Sequence, residues 1–65
     1  MKTKIALFRK QLDITQAELA ETVGVNRQVI IALEKGRYNP SLDLSSKITK
    51  ALNQKKISDV FMINS

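Results

Sequence analysis

Thr15-Gln16-Ala17-Glu18-Leu19-Ala20-Glu21-Thr22-Val23-Gly24-Val25-Asn26-Arg27-Gln28-Val29-Ile30-Ile31-Ala32-Leu33-Glu34 reads as two short helices joined by one tight turn. Thr15 and Glu18 make a capping box: the hydroxyl accepts a free backbone N–H while the carboxylate reaches back to the cap. Ile14, just before the cap, is placed to act as a hydrophobic staple. Leu19, Ala20 and Val23 recur at helical spacing and turn inward. Gly24 falls where that helix must stop, since glycine takes a left-handed φ without steric penalty. Asn26 then caps a following helix that ends at Gly36, after Lys35.

A step of about 100° per residue from Arg27 puts Val29, Ile30 and Leu33 on one side of this following helix. Arg27, Gln28, Ile31, Ala32 and Lys35 fall on the other. Ile31 is the surprise, because a purely solvated face has little use for it. Two helices and a tight turn of this kind form the helix-turn-helix that sets its second helix in a DNA major groove. In that groove thymine offers a methyl group, which suits Ile31, and small Ala32 permits close approach. Arg27 can hold guanine with two hydrogen bonds, and Gln28 can hold adenine similarly. The competing reading is an ordinary solvated face with one stray Ile, or a protein-binding patch.

Outward from this pair, Ile5, Phe8 and Leu12 predict a first helix from about Lys4 to Leu12. Asp13 suits the turn that closes it, since Asp tolerates left-handed geometry better than most residues. Arg37 to Pro40 read as a loop, and Ser41 as the cap of a fourth helix carrying Leu42, Leu44, Ile48 and Leu52. Asn53 to Lys56 break the pattern. Ser58 is then expected to cap a last short helix holding Val60 and Phe61. Five helices and no strand predict an all-α, compact five-helix domain spanning 1–65, with its core at about 4–61.

Length and charge narrow the function. A chain of 65 residues buries only about 60% of its unfolded surface, so dimerisation is an expected source of stability. There is no cysteine, hence no disulfide, and no Cys or His cluster for a metal. Eleven Lys plus Arg against six Asp plus Glu give +5, which favours a polyanionic partner. No apolar run approaches the ~20 residues of a membrane span. Arg9, Lys10 and Gln11 interrupt the N-terminal apolar stretch too early for a signal peptide. A cytoplasmic, nucleoid-associated protein is expected. With neither His nor Cys, and no phosphate-cradling glycine loop, the chain does not read as an enzyme, and no cofactor is expected.

Three segments carry a resemblance: Thr15-Gln16-Ala17-Glu18-Leu19-Ala20, Val23-Gly24-Val25, and Leu33-Glu34-Lys35-Gly36-Arg37-Tyr38-Asn39-Pro40-Ser41-Leu42. With them the chain, from Ile5 to about Phe61, resembles the phage-repressor and Cro-type helix-turn-helix family, often called the Xre family. The resemblance implies a lambda-repressor-like domain of five helices that binds operator DNA, commonly as a dimer. It also implies that Gln16 opens the second helix, contacts a phosphate and steadies the side chain of Gln28. The physics agrees with the first part, because a helix N-terminus offers free N–H groups to an anion; plain helix capping is the alternative.

Arg27, Gln28, Ile31 and Ala32 match the family's base-facing positions, although Ile31 departs from the small polar residue common there. Arg9 and Glu34 match a partly buried salt bridge between the first and third helices; direct phosphate contact by Arg9 is the other reading. In similar proteins the loop after the recognition helix grips the sugar-phosphate backbone. Phosphate contacts are therefore expected from Gln16, Asn26, Lys35, Arg37, Tyr38, Asn39 and Ser41, with Tyr38 equally able to anchor the loop by packing.

The tail from Ile57 to Ile63 holds more apolar residues than one short helix can bury. Phe61, Met62 and Ile63 are thus expected in a twofold interface, which Leu7 could join. The alternative is that Ile57 and Phe61 simply close the core. The expectation is a sequence-specific regulator of transcription, a repressor binding a palindromic operator on double-stranded DNA as a homodimer, without membrane or small-molecule effector. An antitoxin or restriction-modification controller is an alternative within DNA binding. A protein-interaction module on the same fold is the rival outside it.

Overall fold

The computed structural model describes residues 2–62, and five short helices dominate it: α1 (Ile5–Gln11), α2 (Gln16–Val23), α3 (Arg27–Glu34), α4 (Leu42–Ala51) and α5 (Ile57–Val60). Two strands of two residues each, β1 (Lys2–Thr3) and β2 (Phe61–Met62), join the ends as an antiparallel ribbon. Thr3 pairs with Phe61 and Lys2 with Met62, and the Lys4 N–H donates to the Val60 carbonyl at 2.7 Å. The all-α, five-helix expectation holds, and the ribbon is an addition to it. Strands this short carry no alternating pattern, and their pairing joins opposite ends of the sequence.

None of these helices exceeds 10 residues, and helices of such length are marginal without help at their ends and on one face. The ends receive that help locally. Glu18 N–H donates to the Thr15 hydroxyl at 3.0 Å, and Thr15 N–H donates to the Glu18 carboxylate at 2.9 Å. Asn26 Oδ1 and Ser41 Oγ accept from the backbone of Val29 and Leu44. Four helices finish on a left-handed residue: Asp13, Gly24, Gly36 and Asn53. After each, paired backbone bonds return to the last turn, such as Val25 N–H to the Ala20 carbonyl and Arg37 N–H to that of Ala32. These bonds satisfy carbonyls that a helix end otherwise leaves free.

The core gathers Ile5, Leu19, Ala20, Val23, Ile30, Leu33, Ile48, Leu52, Val60 and Phe61, with Phe8, Ile14, Val29, Leu44 and Ile57 packed around it. On α4 the inward positions are Ser45, Ile48, Thr49 and Leu52. Leu42 is exposed at the first position of α4, although it lies only about 20° round the helix from buried Thr49. The buried hydroxyls are satisfied within the helix: Ser45 donates to the Ser41 carbonyl at 2.9 Å and Thr49 to that of Ser45 at 2.7 Å. Leu12 is also largely exposed, since it forms the C-cap of α1 rather than its inner face. At α5 the cap is Lys56, not Ser58: its N–H donates to the Asp59 carboxylate at 3.2 Å.

Phe61 is 2% exposed and closes the protein's own core. It is therefore withdrawn from the expected twofold interface. Met62 remains exposed, and Ile63 lies outside the described residues.

Two changes at the helix ends test this account. Gly24 has φ +82° with nothing within 4 Å of an added Cβ, so Gly24→Ala should cost only the backbone penalty, about 1–2 kcal/mol in urea unfolding. A loss well above that would mean the turn has a packing role. The Glu18 carboxyl is held below its ordinary 4.5 chiefly by the Thr15 backbone N–H, then by the Thr15 hydroxyl. A lowered folded value means stability present above the unfolded pKa and lost as pH falls through the folded one. Glu18→Gln keeps the box but removes the titration. Its melting temperature should thus approach the parent's on going from about pH 6 to pH 3; an unchanged gap would remove Glu18 from the acid response.

Candidate nucleic-acid interface

The N-terminus of α2 and the whole of α3 meet around one carboxylate. Glu34, in the last turn of α3, accepts from Arg9 of α1: Nε to Oε2 at 2.8 Å and Nη2 to Oε1 at 3.4 Å. The same Oε1 accepts from Gln16 Nε2 at 3.0 Å. Arg9 and Glu34 side chains are only 13% and 12% exposed, so this is a structural pair rather than a free cation and anion. Arg9 also donates to the Ile14 carbonyl at 3.0 Å, tying down the turn into α2. Three of the five Arg9 N–H groups are engaged inside the protein, which favours the structural pairing over a direct phosphate contact.

Gln16 uses its other end as well. Its Oε1 accepts from Arg27 Nη2 at 3.2 Å. The partner of Gln16 is thus Arg27, not Gln28. Arg27 is the first residue of α3 and faces the start of α2, whereas Gln28 lies about 100° further round. Periodicity alone did not single out this contact, although the wheel did place Arg27 at the helix's edge. Arg27, Gln16, Thr15 and Lys10 border a shallow concavity at the start of α2, with Asp13 also on its wall. A helix N-terminus there adds a partial positive charge to the two cations.

Along α3, Arg27, Gln28 and Lys35 are exposed, while Ile31 and Ala32 are half-buried. Ile30 and Leu33 are fully buried against the core and fix the helix's rotation. The only acidic group of α3 is turned inward and paired, which leaves its outer face without negative charge. After α3, Arg37, Tyr38 and Asn39 are exposed in the loop, and Tyr38 keeps 42% of its surface. Ser41 and Asn26 accept backbone N–H groups as caps, yet the Ser41 hydroxyl proton and the Asn26 amide N–H groups remain available as donors. No helix among the described residues is long and apolar enough to cross a membrane.

A short supporting helix, a tight left-handed turn and a second helix with an uncharged-to-cationic outer face define a helix-turn-helix protein. The comparisons agree: the chain belongs to the helix-turn-helix family, of the Xre type of DNA-binding transcriptional regulators, whose model matches residues 5–60. It is 56% identical over 64 residues to an uncharacterised HTH-type transcriptional regulator of Methanothermobacter thermautotrophicus, covering 98% of this chain and 93% of that one. An HTH-type transcriptional regulator of Bacillus subtilis is 48% identical over 63 residues, covering 97% and 94%. The immunity repressor protein of Bacillus phage phi105 is 37% identical over 49 residues, which are 75% of this chain and 34% of that one. Among solved structures, a hypothetical transcription factor from Neisseria superposes with a TM-score of 0.78 at 30% identity. That match covers 86% of this chain and 62% of the other.

Removing Glu34 should show how much rests on it. Breaking a buried ion pair from one side costs about 3–5 kcal/mol, and the slight exposure here places Glu34→Ala near the lower end. Arg9→Ala should cost a similar amount, and the double variant clearly less than the two together. Additive losses in denaturant unfolding would mean that the two side chains act independently.

Proposed function

We propose that the chain is one DNA-binding domain, a sequence-specific repressor of transcription that binds a palindromic operator on double-stranded DNA as a homodimer. One observation carries the reading: α3 exposes Arg27, Gln28 and Lys35 while its only carboxylate is paired inward. Such a face can approach a polyanion without repulsion and still offer hydrogen bonds to base edges. Gln28, Ile31 and Ala32 read bases in the major groove, Ile31 through apolar contact with a thymine methyl. Arg27 reads alongside them, held ready by Gln16. Gln16, Asn26, Lys35, Arg37, Tyr38, Asn39 and Ser41 supply phosphate contacts that set position and register. Repression is supported by the phage immunity repressor among the relatives and by a second, the transcriptional repressor RstR of the cryptic phage CTXphi. Occupancy of the operator suffices as mechanism, and the site of action is the cytoplasmic nucleoid.

A binding site selected from random duplexes provides the test. Gln28→Ala should relax discrimination at one base pair per half-site by about 1–3 kcal/mol. Arg37→Ala should weaken all sequences alike and lower the salt slope by about one. With roughly 6–10 phosphate contacts, affinity should fall about 10³–10⁵-fold between about 50 and 200 mM salt. An unchanged base-preference profile for Gln28→Ala would strike that residue from the readers, and salt-independent binding would end the phosphate-anchored model.

A further inference from the structure

Ile31 is an apolar side chain in a polar setting. It sits in the middle of α3, one turn after Arg27 and one turn before Lys35, with Gln28 beside it on the same face. Those three neighbours are exposed and hydrophilic, whereas Ile31 is half-buried. It does not belong to the apolar side chains packed around the core, a task that Val29, Ile30 and Leu33 perform for α3. Core packing therefore does not account for an Ile at this position.

What the position lacks is equally informative. Neither Ile31 nor the adjacent Ala32 has a side-chain atom that can make a hydrogen bond. The backbone is committed there as well, since the two carbonyls accept from the N–H groups of Lys35 and Arg37 at 3.1 and 2.9 Å. A β-branched side chain in a helix keeps one strongly preferred χ1 rotamer, so the methyl groups of Ile31 hold their place before any partner arrives. Little side-chain entropy is then lost on contact.

In the major groove a pyrimidine shows its C5 substituent beside its C4 group, which is an acceptor in thymine and a donor in cytosine. A hydrogen-bonding side chain tells the two C4 groups apart. An apolar one responds only to the methyl at C5. Cytosine methylated at C5 thus offers Ile31 the same contact as thymine, and uracil offers as little as plain cytosine.

We infer that Ile31 makes α3 a reader of the pyrimidine C5 methyl, whichever base carries it, so that methylation of cytosine strengthens binding at that base pair. The inference rests on the major-groove reading of α3 and extends its ligand to DNA containing 5-methylcytosine.

The selected duplex, with each thymine replaced in turn by uracil, locates the contact, because that exchange removes the methyl and leaves every hydrogen-bonding group in place. At one position per half-site uracil should weaken binding about fourfold, as expected for one buried carbon group. With a guanine pair at the same position, 5-methylcytosine should bind about fourfold more tightly than cytosine, for the same reason. Ile31→Ala should erase both differences. Should that variant lose helical circular dichroism, Ile31→Gln, which keeps an aliphatic stem, should erase them too. Uracil tolerated at every thymine, with the base preference otherwise intact, would overturn the methyl reading and spare sequence-specific binding. A gain from thymine's methyl but none from that of 5-methylcytosine would overturn the claim that either base serves. Methyl preference that survives in a folded Ile31 variant would overturn the assignment to Ile31. A parent chain that selects no duplex at all would overturn the inference together with the major-groove reading beneath it.

Discussion

The carboxylate of Glu34 joins three helices at one point. Arg9 reaches it from α1, Gln16 from α2, and Glu34 itself belongs to α3. Each helix is too short to hold a fixed orientation by its own backbone bonds. Apolar packing by Ile30 and Leu33 sets how deeply α3 sits, but packing alone is not directional. Hydrogen bonds with defined geometry are, and those at Glu34 are partly shielded from water. The arrangement fixes α3 against both neighbours and at the same time removes a negative charge from the face that needs to be free of it.

The consequence runs outward through Gln16. One side-chain amide donates to Glu34 and accepts from Arg27, so the position of an exposed cation is linked to a shielded ion pair. Rigid supports under exposed donors reduce the side-chain entropy lost on binding. The same logic explains the left-handed helix ends. Where Gly24 turns the chain, only three residues separate α2 from α3, and the two helices have little freedom to vary their angle. Stability and recognition here depend on the same few bonds.

Much of this was legible because it is local. The Thr15–Glu18 box, the Asn26 and Ser41 caps, and the left-handed turns at Asp13 and Gly24 all depend on residues within a few positions of each other. The rotation of α3 was legible too, since its buried Ile30 and Leu33 follow helical spacing. Long-range features were not. The β1–β2 ribbon joins residues about sixty positions apart. Leu42 lies as near the inner face of α4 by helical spacing as Leu44 does, and only the fold shows that the first position of the helix is left outside. Small hydroxylated residues satisfied by their own helix can line a core face as well as Leu can.

The closure of the core changes what a partner would contribute. A chain of this size made dimerisation an expected source of stability. Instead the ends of the chain close over the core: the ribbon brings Phe61 down beside Val60 and Ile5, and all three are buried. The apolar residues left exposed, Leu42, Leu7 and Met62 among them, are peripheral to that core. Association through them would add stability by mass action without completing an unfinished interior. Folding and pairing then become separable, and in the proposed homodimer a second copy would serve chiefly to supply the α3 of the other half-site. A regulator built in this way can change its occupancy with its own concentration while its individual chains remain folded.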